Sequence, residues 1–197
     1  MAVVVAGRGD LAFATLHGEP LLAHALRTAS AAVAAEVVVV VDDATRRAAQ
    51  DVAPAVASMT VEEWWASRTA PAELVHDALC PLAPASLLAE VAAAAGRGPA
   101  VAAYRPVTDT VKTARDDRIE GTIDRDGLGI VVAPVLVPLE VGADGPAPPL
   151  DLARLVDWLR ARTTVDLVRS PSLARRVHDL GSVALLECVD EMARRTR

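Results

Sequence analysis

The chain is 197 residues long with a net charge of -6 and a pI near 5.2, which fits one domain, or one domain with a small projection. The acidic balance argues against a general nucleic-acid binder, and no window approaches the roughly 18 uninterrupted apolar residues of a membrane helix. Hydrophobic residues make up 52% of the sequence but aromatics only 3%, so Ala, Val and Leu must build the core.

Ala2–Ala6 is a short apolar run ending at Gly7-Arg8-Gly9, the pattern of a buried strand entering a turn. It lacks the basic flank and cleavage site of a signal peptide. Pro20 marks a helix start, with Leu21, Leu22, Ala25 and Leu26 at helical spacing up to about Ala32. The valine run in Glu36–Val41 predicts a strand covered on both faces, hence parallel. A helix over Ala44–Val52, a weaker strand over Val56–Val61 and a strand over Glu73–His76 leading into Asp77 follow. Pro84–Ala95 reads as a helix stopped by Gly96 and Gly98, and Pro99–Tyr104 as a strand. Four such alternations predict an α/β fold with a doubly wound, mostly parallel sheet. Ligands of such sheets bind beyond the carboxyl ends of the strands, near the reversal of strand order. The loops after Ala6, Val41, His76 and Tyr104 are therefore the candidate site.

The second half differs. Thr108–Ala114 and Arg118–Asp124, joined by Arg115-Asp116-Asp117, read as an exposed hairpin that needs a partner surface. Gly129–Pro134 returns to strand character, and the proline- and glycine-rich stretch Gly142–Pro149 is a loop. Leu150–Arg162 is an amphipathic helix, Thr164–Val168 a strand and Asp179–Arg195 the closing helix. Cys80 and Cys188 are too few and too far apart for a disulfide framework or metal site, and read as thiols of a reducing cytoplasm. Lys112 is the sole lysine, against 19 arginines among the 20 basic residues.

Several stretches carry a family likeness. They are Val4–Gly9, Leu16–Leu26, Val75-His76-Asp77-Ala78-Leu79-Cys80-Pro81, Pro106–Lys112, Thr122–Arg125, Arg176-Val177 and Ala184–Glu187. On these the chain resembles the 2-C-methyl-D-erythritol 4-phosphate cytidylyltransferases over essentially its full length. The resemblance implies a Rossmann-like nucleotidyltransferase fold in a single domain, with residues 107–125 as a dimerisation arm. It implies cytidylyl transfer from CTP to methylerythritol phosphate, a step toward isoprenoid precursors. A substrate phosphate oxygen attacks the α-phosphorus and pyrophosphate leaves. Carried over, Ala6, Gly7, Gly9 and Asp77 bind nucleotide, and Asp77 also holds Mg²⁺. Asp109, Thr110 and Arg125 bind the polyol phosphate, with the arm reaching across a homodimer. Arg176 is the catalytic cation, standing where the family has lysine.

The departures concern charge. The family's glycine loop is longer and ends in Pro-Lys, whereas here Asp10-Leu11 stand in its place. The family's Asp-Ala-Ala-Arg-Pro is Asp77-Ala78-Leu79-Cys80-Pro81. The base-recognising segment is replaced by Val61-Glu62-Glu63-Trp64-Trp65, and its helix is expected to be mostly absent. Losing one preorganised donor costs about 3–4 kcal/mol of transition-state stabilisation, so two lost donors remove roughly 10⁴-fold in rate. The expectation is a degenerate nucleotide site with weak or no activity. The alternative is a catalytically silent paralogue acting as dimer partner or regulator, or a phosphometabolite-binding protein. Bland readings stand beside each residue. Asp77 could cap a turn, Arg125 could be a surface arginine, and Arg176 could pair with Asp179 or Glu187. Trp64-Trp65 could stack on a base or fill the space of the missing helix. His24 and His76 pack or cap, and Cys80 lacks an activating base.

Overall fold

The valine-rich segments become the centre of one seven-stranded sheet in the computed structural model, which describes residues 1–7 and 9–195. β1 (Ala2–Val5) is entirely buried, as its unbroken apolar run requires. A 3₁₀ turn (Asp10–Phe13) and a small hairpin, β2 (Thr15–Leu16) with β3 (Glu19–Pro20), lead into α1 (Leu21–Ala32). That helix buries Leu21, Leu22, Ala25, Leu26 and Ala29, the stripe its spacing foretold. β4 (Val37–Val40), α2 (Arg46–Val52) and the two-residue β5 (Ser58–Met59) complete one side.

The next element is a helix the sequence reading lacked, α3 (Val61–Ser67). Thr60 starts it with a reciprocal capping box: its hydroxyl accepts the Glu63 N–H at 3.2 Å, and the Glu63 carboxylate accepts the Thr60 N–H at 2.7 Å. β6 (Ala72–Asp77), α4 (Ala85–Ala92) and β7 (Ala100–Pro106) follow, then β8 (Val111–Arg115) and β9 (Arg118–Ile123). β10 (Gly129–Pro138), α5 (Leu152–Arg160), β11 (Val165–Arg169) and α6 (Leu180–Arg195) close the chain.

The strand order is β11-β7-β10-β6-β1-β4-β5. All neighbours are parallel except β10, which runs antiparallel between β6 and β7. The mostly parallel, doubly wound arrangement is as expected. β10 extends past the expected end at Pro134, and its ladder to β7 is interrupted between Val132 and Val135, which lets a proline sit inside the sheet. β8 and β9 pair only with each other, through a two-residue turn at Asp116-Asp117 with φ of 48° and 61°, the backbone of a tight hairpin turn. Nearly all of their residues are exposed, Ile119 by 70%. Among the described residues no helix is long and apolar enough to cross a membrane.

Candidate active site

From β1 the chain moves to β4 on one side and later to β6 on the other, so strand order reverses between β1 and β6. The crevice at their carboxyl ends is the binding position of such a sheet. Ala6 leaves β1 with its N–H on the Val40 carbonyl (3.0 Å), and Ala78 leaves β6 with its N–H on the Val5 carbonyl (2.9 Å). Between them Gly7 and Gly9 have φ of 73° and 91°, conformations a Cβ would strain, and an added Cβ at either would meet no atom within 4 Å. The backbone therefore borders open space. Arg8 lies outside the described residues. The loop runs straight into the 3₁₀ turn, where Asp10 is exposed and Leu11 packs against the core.

Asp77 ends β6 and is only 3% exposed. Its Oδ1 accepts the Leu79 N–H at 2.9 Å, and its Oδ2 accepts Arg176 Nε at 2.7 Å. Burial pushes its pKa up, while the Arg176 charge and these hydrogen bonds pull it back. For Arg176, burial works against the charge, but Asp77 outweighs it and holds the guanidinium above its ordinary value. The alternative reading paired Arg176 with Asp179 or Glu187, and the structure gives it neither. Asp179 instead caps α6, accepting the Ser182 N–H at 2.6 Å, and Glu187 accepts the His17 N–H. The reason is the Val177 N–H to Leu79 carbonyl bond (2.8 Å), which draws residue 176 over the end of β6.

Both oxygens of the sole candidate metal carboxylate thus already accept hydrogen bonds. Among the described residues no group of three or more His, Cys, Asp or Glu side chains could hold an ion. As arranged, these residues do not fit a protein-held Mg²⁺. Cys80 is fully buried and its thiol is pushed far up by burial.

Asp109, Thr110 and Arg125 gather at the base of the hairpin, all exposed, with Arg125 donating to the Thr108 carbonyl. Among the described residues no hydrogen bond or ion pair joins them to the Asp77–Arg176 pair, so within one chain the candidate residues form two separate groups. Trp64 and Trp65 lie on α3 itself. Their rings meet edge to face at 5.5 Å, and Trp65 meets Trp158 of α5 at 5.6 Å. Trp65 donates to the Gly145 carbonyl at 3.0 Å. With 0% and 8% exposure the pair fills space beneath α5 and leaves no face for a base. His24 is held by the Leu16 carbonyl at 2.9 Å. Sequence reasoning passed over Arg105 at the end of β7, and it noted Arg175 beside Arg176 without giving it a role. The signals were the Arg175-Arg176 pair and, for Arg105, position at the carboxyl edge of the sheet.

A doubly wound sheet with a glycine turn and a buried aspartate at its switch point defines a nucleotide-binding α/β protein of the nucleotidyltransferase class. The chain belongs to the 2-C-methyl-D-erythritol 4-phosphate cytidylyltransferase family, whose family model matches residues 4–141. It is 41% identical over 103 residues to a bifunctional enzyme IspD/IspF of Anaeromyxobacter, covering 47% of this chain and 27% of that one. It is 33% identical over 149 residues to a 2-C-methyl-D-erythritol 4-phosphate cytidylyltransferase of Cereibacter sphaeroides, covering 64% of this chain and 66% of that one. The chain therefore spans about a quarter of the first relative and just under two thirds of the second. The fold matches the Thermus thermophilus cytidylyltransferase structure with a TM-score of 0.78 at 22% identity, over 97% of this chain and 98% of that one. It matches the Anaerococcus prevotii 4-diphosphocytidyl-2C-methyl-D-erythritol synthase with a TM-score of 0.77 at 16% identity, over 96% and 95%.

Proposed function

We propose that the chain is a divergent cytidylyltransferase homologue with a degenerate nucleotide half, and that its turnover of CTP and methylerythritol phosphate is weak or absent. The observation that carries this is the 2.7 Å ion pair between Asp77 and Arg176. It ties the carboxylate that would meet the nucleotide's magnesium to the cation that would meet the transferring phosphate. Breaking such a pair at a site 3% exposed costs on the order of 3–5 kcal/mol, which substrate binding would have to supply. Leu11 and Asp10 add no compensating cation. If turnover occurs, Ala6, Gly7 and Gly9 receive the triphosphate through their backbone and Arg176 acts as the catalytic cation. Asp77 would hold Mg²⁺, which would neutralise triphosphate charge, only if its carboxylate were free of Arg176. Asp109, Thr110 and Arg125 bind the polyol phosphate from the partner subunit of a homodimer in the cytoplasm. Pyrophosphate release from CTP and methylerythritol phosphate, with and without Mg²⁺, tests the reading. A rate typical of an efficient enzyme, with kcat above about 1 s⁻¹, refutes it.

A second reading is favoured by the arm, where Thr110 and Arg125 remain while the nucleotide half has lost its cations. It makes the chain a silent dimer partner or a binder of a phosphorylated metabolite. Saturable binding of methylerythritol phosphate without CTP, together with no thermal shift by millimolar CTP, would select it.

A further inference from the structure

Arg105 is the penultimate residue of β7, and β11 runs parallel beside it with Arg169 opposite Tyr104. The Ser170 N–H bonds the Tyr104 carbonyl at 2.8 Å, so the chain leaves β11 in fixed register next to Arg105. It then turns back, the Ala174 N–H reaching the Pro171 carbonyl at 3.1 Å, and is pinned to the end of β6 by the Val177–Leu79 bond. Ala174 and Val177 are 0% exposed, and the two residues between them, Arg175 and Arg176, are half-exposed at the strand ends.

Arg176 is taken up by Asp77. Among the described residues no carboxylate pairs with Arg105 or Arg175, and no hydrogen bond holds either guanidinium. Burial, and then the charge of Arg175, lower the pKa of Arg105 below the usual arginine value. Two like charges thus act on each other at the strand ends, half-exposed and without a counter-ion among the described residues, an arrangement that an anion would relieve. The hydroxyl of Ser170, a residue 6% exposed, is buried and has no hydrogen-bond partner. Arg105 also acts electrostatically on Cys80, the position at which the family pattern carries an arginine.

We propose that Arg105 and Arg175, with the Ser170 hydroxyl, form a binding site for a substrate phosphate group, replacing from β7 and the loop after β11 the cations lost at positions 11 and 80. The two guanidiniums offer forked donors suited to a tetrahedral oxyanion, and Ser170 offers a third donor. This deepens the functional reading and rests on it only for which molecule brings the phosphate.

The test is titration of the full chain with inorganic phosphate in a low-salt, phosphate-free buffer, read by calorimetry and by thermal unfolding. R105Q and R175Q should each weaken phosphate binding about 10-fold, the loss of a charge-assisted hydrogen bond, and R105K should recover part of it. R97Q, an exposed arginine at the other end of the sheet, should bind as the parent does. Because each variant also removes a repulsion, its unfolding temperature without phosphate should equal or exceed the parent's, while the phosphate-induced increase disappears. A structural role would instead lower that temperature and leave the increase. Repeating the titrations with CTP and with methylerythritol phosphate separates the two sources: the ligand whose affinity falls in R105Q/R175Q is the one seated here. No saturable phosphate binding by the parent, or parent-like binding by both variants, overturns the proposal. Phosphate binding that survives a failure of cytidylyl transfer leaves it standing and counts only against the functional reading.

Discussion

β6 carries two ionisable side chains at 0% exposure, Glu73 and His76, and neither has a hydrogen-bond partner among the described residues. Burial drives them in opposite directions. Glu73 rises from 4.5 to about 7, chiefly through burial and partly offset by the Met1 amino group 3.8 Å away and by Arg68. His76 falls from 6.5 to about 4 through burial alone. Each displacement corresponds to about 3 kcal/mol. For Glu73 the folded state holds its proton more tightly, so stability falls as pH rises from 4.5 through about 7. For His76 the unfolded state takes the proton first, so stability falls as pH drops from 6.5 toward about 4. Between roughly pH 4.5 and 6.5 the two slopes cancel.

Single substitutions should unmask each slope. The readout is variant minus parent in urea-unfolding free energy at a series of pH values, which removes the background from other carboxylates. E73Q should gain on the parent by about 3 kcal/mol between pH 4.5 and 7.5, and H76L should gain by about 3 kcal/mol as pH falls from 7 to 4. Any fixed cost, such as a less compensated Arg68, moves the whole curve without changing its swing. An E73Q difference constant within about 0.5 kcal/mol across that range would refute the reasoning, because Glu73 would then be titrating as it does in the unfolded chain.

Three further outcomes follow from other contacts. R176A should cost about 3–5 kcal/mol at pH 8 by stranding Asp77, with a smaller deficit at pH 5 as the carboxyl protonates, and R176A/D77N should be more stable than R176A alone. In G142A the new Cβ would lie 2.5 Å from the Trp158 ring at a backbone φ of 70°. A loss of about 2–3 kcal/mol, or roughly 4–12 °C in unfolding temperature, is expected, and a change below 1 °C would contradict the packing described for the Trp64–Trp65–Trp158 cluster. Ile119 and Ile123 are 70% and 40% exposed on the arm. If the arm is a dimer surface, I119D/I123D should sediment as a monomer with an unchanged far-ultraviolet spectrum, and an unaltered dimer would move the interface elsewhere.

The sheet was legible because its strands bury both faces: Val3–Val5 and Val37–Val40 leave no other reading for so continuous a β-branched run. The hairpin was legible from polar strands around Asp116-Asp117. α3 was not, because Trp64 and Trp65 drew attention to aromaticity while the start signal, Thr60 with Glu63 three residues on, is a short polar pattern. The length of β10 was hidden by Pro134, which normally ends a strand and here falls at a break in the ladder. At the site, the glycine turn and Asp77 were placed correctly at the strand ends. The partner of Arg176 was not, since Val177 and Leu79 are 98 residues apart and only their backbone bond brings the two charges together.

The same geometry says which of the family departures can be reversed. Leu11 is half-buried at the open end of the glycine loop, where a lysine can keep its stem on the core and its ammonium in water. Cys80 is 0% exposed, one turn beyond Asp77, and its backbone N–H is bonded to the Asp77 carbonyl at 2.9 Å. An arginine there would overfill a packed site and bring a second guanidinium to a carboxylate Arg176 already occupies. L11K should therefore fold with an unfolding temperature within a few degrees of the parent. C80R should lose about 3 kcal/mol or more, roughly 6–12 °C, or fail to fold. A C80R protein as stable as the parent would show that position 80 still opens onto the crevice. The lost arginine is the less recoverable of the two cations, because at position 80 the side chain has become part of the core.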